Sequence, residues 1–156
     1  MDDCLFREAM GKFATGVTVI LTETNGEPHG MTANAFMSVS LDPKLVVISI
    51  KENARMLSKI QDSKQFTVNI LADNQTQISK IFSGQLKDQQ VQFDRLANLP
   101  IIQGALAQVA CEVSAEHIEG DHTLFVGKVL DIKTSEGNPL LFFAGKYRSI
   151  EELIEV

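Results

Sequence analysis

Residues 30–43, Gly-Met-Thr-Ala-Asn-Ala-Phe-Met-Ser-Val-Ser-Leu-Asp-Pro, concentrate small and hydroxylated side chains between two β-like stretches. Small side chains at a strand end let a ligand approach the backbone closely. Thr32, Asn34, Ser38 and Ser40 add neutral hydrogen-bonding groups, a combination suited to a large, flat ligand with a polar edge. Lys51, Arg55 and Lys59 form the one modest cationic cluster. Arg55 and Lys59 share a helix face at i,i+4, enough to balance a single phosphate. The plainer readings stand beside these: Met31, Phe36 and Met37 as core or dimer contacts, Thr32 and Ser40 as turn-closing hydroxyls.

Other chemistries find little support. No GxGxxG follows a strand, so a Rossmann dinucleotide site is unsupported. Gly11 and Gly16 have phosphate-loop spacing, but Val17-Thr18 follows where a lysine is required. No GxSxG elbow occurs. His117 and His122 straddle a turn beside Glu116 and Asp121. Catalytic zinc wants a third protein ligand, and His29 is distant in sequence, so no metal site is assigned. Cys4 and Cys111 are too few and too far apart for a redox or metal pair, and both read as reduced thiols. What fits is a bound group with its own reactivity, for which the protein supplies binding and orientation. A flavin is one such group, among several planar ligands.

The elements that would position these residues read as follows. Residues 3–13 form a helix capped by Asp2 or Asp3, with Leu5, Phe6, Ala9, Met10 and Phe13 on one face. A strand over 17–22 turns at Asn25-Gly26 into a strand over 29–34. The apolar run 45–50 reads as a strand buried on both faces, 54–61 as a helix and 66–71 as a strand. Asp73 or Asn74 caps a helix reaching Phe82. Residues 83–103 read as a polar surface excursion, broken at Asn98-Leu99-Pro100. Long strands over 105–118 and 123–133 flank a turn at Gly120-Asp121, a short strand covers 140–143, and 151–156 is a short or frayed helix. Antiparallel hairpins dominate, which predicts a mainly β protein: a small closed or partly closed barrel with peripheral helices.

With 156 residues, 44% hydrophobic and 22% charged, the chain is most simply one domain with a real core. Its formal charge of −6 argues against a nucleic-acid partner. The acidic start and lack of a long apolar run predict a cytoplasmic protein with no membrane segment.

The order of motifs resembles the flavin reductase family built on the FMN-binding split barrel. The likeness runs through Phe6-Arg7-Glu8-Ala9-Met10-Gly11-Lys12-Phe13-Ala14-Thr15-Gly16-Val17-Thr18-Val19 and residues 30–43, then Phe66-Thr67-Val68-Asn69-Ile70-Leu71. It continues through Gly104-Ala105-Leu106-Ala107, Gly120-Asp121-His122-Thr123-Leu124-Phe125-Val126-Gly127 and Pro139-Leu140-Leu141-Phe142-Phe143. Within the family the chain looks most like the small reductase component of two-component aromatic hydroxylases, such as those acting on phenol or 4-hydroxyphenylacetate. The resemblance implies an antiparallel Greek-key split barrel and a homodimer with flavin near the subunit interface. It implies an enzyme in which NADH, with NADPH as the alternative donor, reduces FAD or FMN for a separate oxygenase.

By resemblance, Thr32, Ala33, Asn34, Ala35, Ser38 and Val39 line the isoalloxazine and ribityl chain. Ser49, Ile50 and Lys51 continue toward the phosphate, with Arg55 and Lys59 beyond, although Asn53-Ala54-Arg55 stands where many relatives carry a phosphate-binding hydroxyl. Phe82 sits beside the flavin or adenine, His122 near the nicotinamide as the catalytic residue, and Tyr147 closes the pocket. The competing reading is a flavin-binding electron-transfer or storage protein without a nicotinamide site. A haem-binding barrel ranks last, for want of an axial ligand.

Overall fold

A computed structural model describes residues 1–151. Asp2 caps helix α1 (Asp3–Gly11), its carboxylate accepting from the Cys4 N–H at 3.0 Å. Strands β1 (Thr15–Gly16), β2 (Thr18–Thr24), β3 (Glu27–Ala33), β4 (Phe36–Leu41) and β5 (Lys44–Lys51) follow, then helix α2 (Arg55–Ser63) and β6 (Gln65–Ile70). A 3-10 turn (Asp73–Gln75) leads into α3 (Thr76–Phe82), a hairpin of β7 (Phe93–Leu96) and β8 (Leu99–Ile102), and the long pair β9 (Ala107–Glu119) and β10 (His122–Thr134). Strands β11 (Leu141–Phe143) and β12 (Lys146–Arg148) end the described chain, so of the expected helix over 151–156 all but Glu151 lies outside it.

Seven strands form one antiparallel sheet in the order β3-β2-β6-β9-β10-β5-β4. The edge strands β3 and β4 are separated in sequence only by Asn34 and Ala35. Two residues reach about 10 Å from strand end to strand start, so the sheet must curl until its edges meet there. No ladder joins β3 to β4. The barrel is split along that seam.

Inside it, Ile20, Val46, Ile48, Ile50, Phe66, Val68, Val109, Cys111 and Phe125 form the core, and Met56 and Ile60 of α2 pack into the same cluster. A second cluster covers the outer face of β2, where Val17, Val19 and Leu21 meet Leu71, Ile102, Ala105 and Leu140. Phe82, Phe142 and Tyr147 pack against it. Burial on both faces therefore belongs to β2, β6 and β8 and not to β5. In β5, Val46, Ile48 and Ile50 are buried and alternate with half-buried Leu45, Val47 and Ser49.

Residues 83–103 are less irregular than their composition suggests. Ala97 and Asn98 take positive φ (48° and 63°), the turn geometry that matches strand twist in a two-residue hairpin. Pro100 is tolerated because β8 pairs only with β7 and lies at an edge. Leu99, Pro100, Ile101 and Ile102 are buried. Thr67 Oγ1 donates to the Pro100 carbonyl at 2.8 Å, and the Ile102 N–H donates to Asn69 Oδ1 at 2.8 Å. The segment before this hairpin starts differently from expectation: neither Asp73 nor Asn74 caps it, Gln75 Oε1 accepts from the Ala72 N–H at 3.0 Å at the start of the 3-10 turn, and α3 itself begins without a side-chain cap. Helix α1 forms as its pattern predicts, yet none of its residues is buried.

Gly127 sits at a register shift in β10. A Cβ there would lie 2.5 Å from Phe66 Cζ and 3.0 Å from Cys111 Cβ, both in the barrel core. Gly127→Ala should destabilise the protein by roughly 1–3 kcal/mol, the usual range for overpacking. Chemical denaturation checks this, and an unchanged midpoint would contradict it.

Candidate functional site

The strand leading to the seam is fixed by its own hydroxyls. Thr18 Oγ1 donates to the Ala33 carbonyl at 2.7 Å, and Thr32 Oγ1 donates to the Ser79 carbonyl of α3 at 2.6 Å. Gly30 and Thr32 share one face of β3 by strand alternation, while Ser79 and Phe82 share one face of α3 at i,i+3. The Phe82 ring rests on Gly30: a Cβ there would lie 2.6 Å from Phe82 Cδ1 and 2.6 Å from Leu21 Cδ2. Ser79 Oγ also meets the Tyr147 hydroxyl at 2.8 Å, and the Tyr147 ring stands edge-on to Phe142 with centroids 5.6 Å apart. Tyr147 lies in β12, a strand the sequence pattern did not announce.

Two adjoining clefts result. The smaller, about 190 Å³, is lined by Thr32, Ala33 and Asn34 on one side and by Val17, Ser79, Phe142 and Tyr147 on others. The larger, about 660 Å³, runs past Gly30 and Met31 to Phe82, Ala54 and Arg55. Ser83 borders both. Asn34 also borders a third hollow of about 330 Å³ with Phe13, Thr15 and Phe36. Among the described residues, the backbone N–H groups of Asn34 and Ala35 make no hydrogen bond, so both remain available as donors. Helix α2 begins at Arg55 with no side-chain cap from Ala54. A helix start with uncapped N–H groups favours an anion.

His122 stands apart from these clefts but is tied to their rim. It pairs with Lys51 across the β10–β5 ladder. The Glu52 N–H donates to the Asp121 carbonyl at 2.9 Å, and the Thr123 hydroxyl donates to the Glu52 carboxylate. The hairpin is thus clamped to the turn that becomes α2. Asp121 Oδ1 accepts from His122 Nδ1 at 2.8 Å. That bond, with the nearby charges of His122 and Lys51, holds the Asp121 carboxyl below the usual range.

The remaining expected site residues scatter. Ser38 and Val39 are exposed on the edge strand β4, where a bulge between Ser38 and Ser40 interrupts the register. Ser49 is half-buried opposite Leu124. The Ile50 side chain is fully buried in the barrel core, so it offers no side-chain surface to a ligand. Lys51 is exposed, and Lys59 lies half-buried one turn beyond Arg55. Cys111 is inert: burial pushes its thiol up to about 12. Ser79, Ser83, Gln85 and Phe142 line the small cleft without having been singled out from sequence. The one available signal was helical phase, which puts Ser79 on the same face as Phe82.

A family profile described as a flavin reductase like domain matches residues 10–151. An NADH-dependent flavin reductase of Rhodococcus sp is 44% identical over 151 residues, covering 94% of this chain and 86% of that protein. The reductase component of Thermus thermophilus 4-hydroxyphenylacetate 3-monooxygenase is 37% identical, covering 93% of this chain and 95% of that one. Among solved structures, the flavin reductase PheA2 in its native state superposes with a TM-score of 0.96 at 61% identity, covering 97% of this chain and 100% of its own. The Streptomyces globisporus NADH:FAD oxidoreductase SgcE6 in complex with NAD and FAD fragments gives 0.87 at 34% identity, covering 94% and 92%.

The Asp121–His122 pair has a pH signature. A carboxyl held low contributes stability above the ordinary carboxylate range and loses it as pH falls through the lowered value. In His122→Ala the Asp121 carboxyl should therefore titrate at higher pH than in the wild type, as read by carboxyl-carbon NMR. Identical titration curves would show that His122 does not set it.

Proposed function

Because this chain belongs to the flavin reductase-like domain family, we propose that its two adjoining clefts hold the flavin that the enzyme reduces with NADH. The protein is an NADH:flavin oxidoreductase, and it supplies reduced flavin to a separate monooxygenase component. The observation that carries the site reading is the donor set at the seam. The unbonded N–H groups of Asn34 and Ala35 lie beside the hydroxyl-fixed Thr32, with Arg55 and the uncapped start of α2 at the far end. Neutral donors at one end and positive charge at the other suit a ring with an acceptor edge joined to a phosphate. That the relatives are named as NADH-dependent reductases favours this reading over a flavin-storage protein.

Bound flavin supplies the hydride acceptor, and NADH the hydride. This chain's residues supply position and polarity. Thr32, Ala33, Asn34 and Ala35 hold the polar edge of the ring, the free backbone donors of Asn34 and Ala35 stabilising the negative charge that arrives with the hydride. Phe82 and Tyr147 wall the clefts, while Arg55, with Lys51 and Lys59 near it, balances phosphate. His122, fixed by Asp121, orients the nicotinamide without acting as an obligatory acid, since hydride transfer needs no prior protonation. Productive transfer asks for reacting atoms about 3–3.5 Å apart, which places a premium on such orientation.

We infer further that two copies associate. Leu5, Phe6, Met10 and Phe13 near the first helix are 61%, 54%, 56% and 78% exposed, and Met37, Val39 and Leu41 on β4 are 58%, 50% and 86% exposed. Apolar surface of that extent calls for cover. A cytoplasmic location is part of the same reading; among the described residues no helix is long and apolar enough to cross a membrane.

Mixed with excess FAD or FMN and NADH, the protein should consume the nicotinamide absorbance catalytically; a yellow protein that never oxidises NADH would overturn the reading. His122→Ala should raise the KM for NADH roughly tenfold, the worth of about 1.4 kcal/mol, with flavin affinity within about twofold. Unchanged NADH kinetics would remove His122 from the site. Light scattering should report a dimer that the double substitution Phe13→Asp and Met37→Asp converts to monomer, whereas a monomeric wild type would refute the association.

A further inference from the structure

Tyr147 is the only tyrosine in the chain, and its hydroxyl lies 2.8 Å from Ser79 Oγ. Distance alone does not say which oxygen donates. Burial does. Ser79 is 0% exposed, and among the described residues the Tyr147 hydroxyl is the only hydrogen-bond partner of its side chain. A buried hydroxyl hydrogen without an acceptor is costly, because its bonds to water are lost and nothing replaces them. If Tyr147 donated, the Ser79 hydrogen would be left in that condition. Ser79 therefore donates and Tyr147 accepts.

The phenolic hydrogen is then directed away from Ser79. Tyr147 is half-buried and walls the 190 Å³ cleft with Thr32, Ala33 and Asn34. Two carbonyls of the cleft wall are already engaged. Ala33 accepts from Thr18, and the Ser79 carbonyl accepts from Thr32 and from the Ser83 N–H. Among the described residues no acceptor takes the Tyr147 hydrogen, so it is free to serve a bound molecule.

We propose that Tyr147 donates a hydrogen bond to an acceptor atom on the edge of the flavin held in this cleft. Ser79 is the positioning residue that turns the hydroxyl that way. This rests on the flavin reading given above. The cleft is too small for a whole nucleotide, so the donor addresses one edge of the ligand. Ser79 ties two walls together: its carbonyl holds Thr32 and its hydroxyl sets Tyr147.

Flavin titration by fluorescence quenching, NADH kinetics at saturating flavin and thermal unfolding of wild type, Tyr147→Phe, Ser79→Ala and the double variant test this. Tyr147→Phe should raise the flavin Kd roughly 3- to 10-fold, the worth of one net hydrogen bond, and leave the KM for NADH within about twofold. It should also lower Tm, by orphaning the Ser79 hydrogen, and the double variant should recover that loss. Ser79→Ala should weaken flavin binding, with no further loss when combined with Tyr147→Phe. An unchanged flavin Kd in Tyr147→Phe would overturn the proposal. So would a KM for NADH that rises as much as the flavin Kd, or a double variant that regains no stability. A wild type that neither binds nor reduces flavin would overturn the flavin reading itself.

Discussion

The two residues between β3 and β4 constrain everything else in this molecule. Asn34 and Ala35 join the opposite edges of a seven-stranded sheet, and so short a tether leaves the sheet no option but to curl. Curling encloses the barrel core and leaves a seam where the ladder is not completed. Backbone donors there are unpaired for a topological reason: the edges meet through a link, not through a ladder. A binding site needs such donors, and elsewhere in a sheet they are consumed by neighbouring strands.

Around the seam, rigid elements do the positioning. Helix α3 is registered on β3 by the Gly30–Phe82 approach and the Thr32–Ser79 hydrogen bond. The hairpin carrying His122 is registered on β5 by its ladder and by the Glu52 bonds. The buried amide of Asn69 holds β8 onto β6 while donating to the Val19 carbonyl at 3.0 Å. These polar contacts are satisfied on both partners, so they choose one arrangement of elements that hydrophobic burial alone would leave loosely specified.

Much of the fold was legible in the chain because it is local. Alternation and turn residues marked the β2–β3 hairpin at Asn25-Gly26 and the β9–β10 pair at Gly120-Asp121. Where reading failed, tertiary context overrode local signals. Pro100 reads as a breaker, but an edge strand does not need its missing N–H, and the hairpin survives. The run 45–50 reads as doubly buried, yet outer cover falls on β2, because α3, β8 and β11 pack there. Ile50, which the resemblance groups with the site, has its side chain turned into the core by the strand's pleat.

By itself, then, the sequence determined the kind of protein: antiparallel hairpins, a family identity carried by ordered motifs, and a stretch of small hydroxylated residues able to meet a ligand. The hairpins and the hydroxylated stretch follow from composition and spacing within segments of a few residues, and the family from a resemblance in the order of motifs along the chain. Only the tertiary structure decided which of those residues share a cleft. Thr32 and Tyr147 line one cleft and Phe82 and Arg55 the adjoining one, Ser38 and Val39 lie on a separate exposed edge, and Ser79 enters unannounced. Side chains distant in sequence meet only through strand order and helix register, and both are set by long-range packing that no single segment encodes.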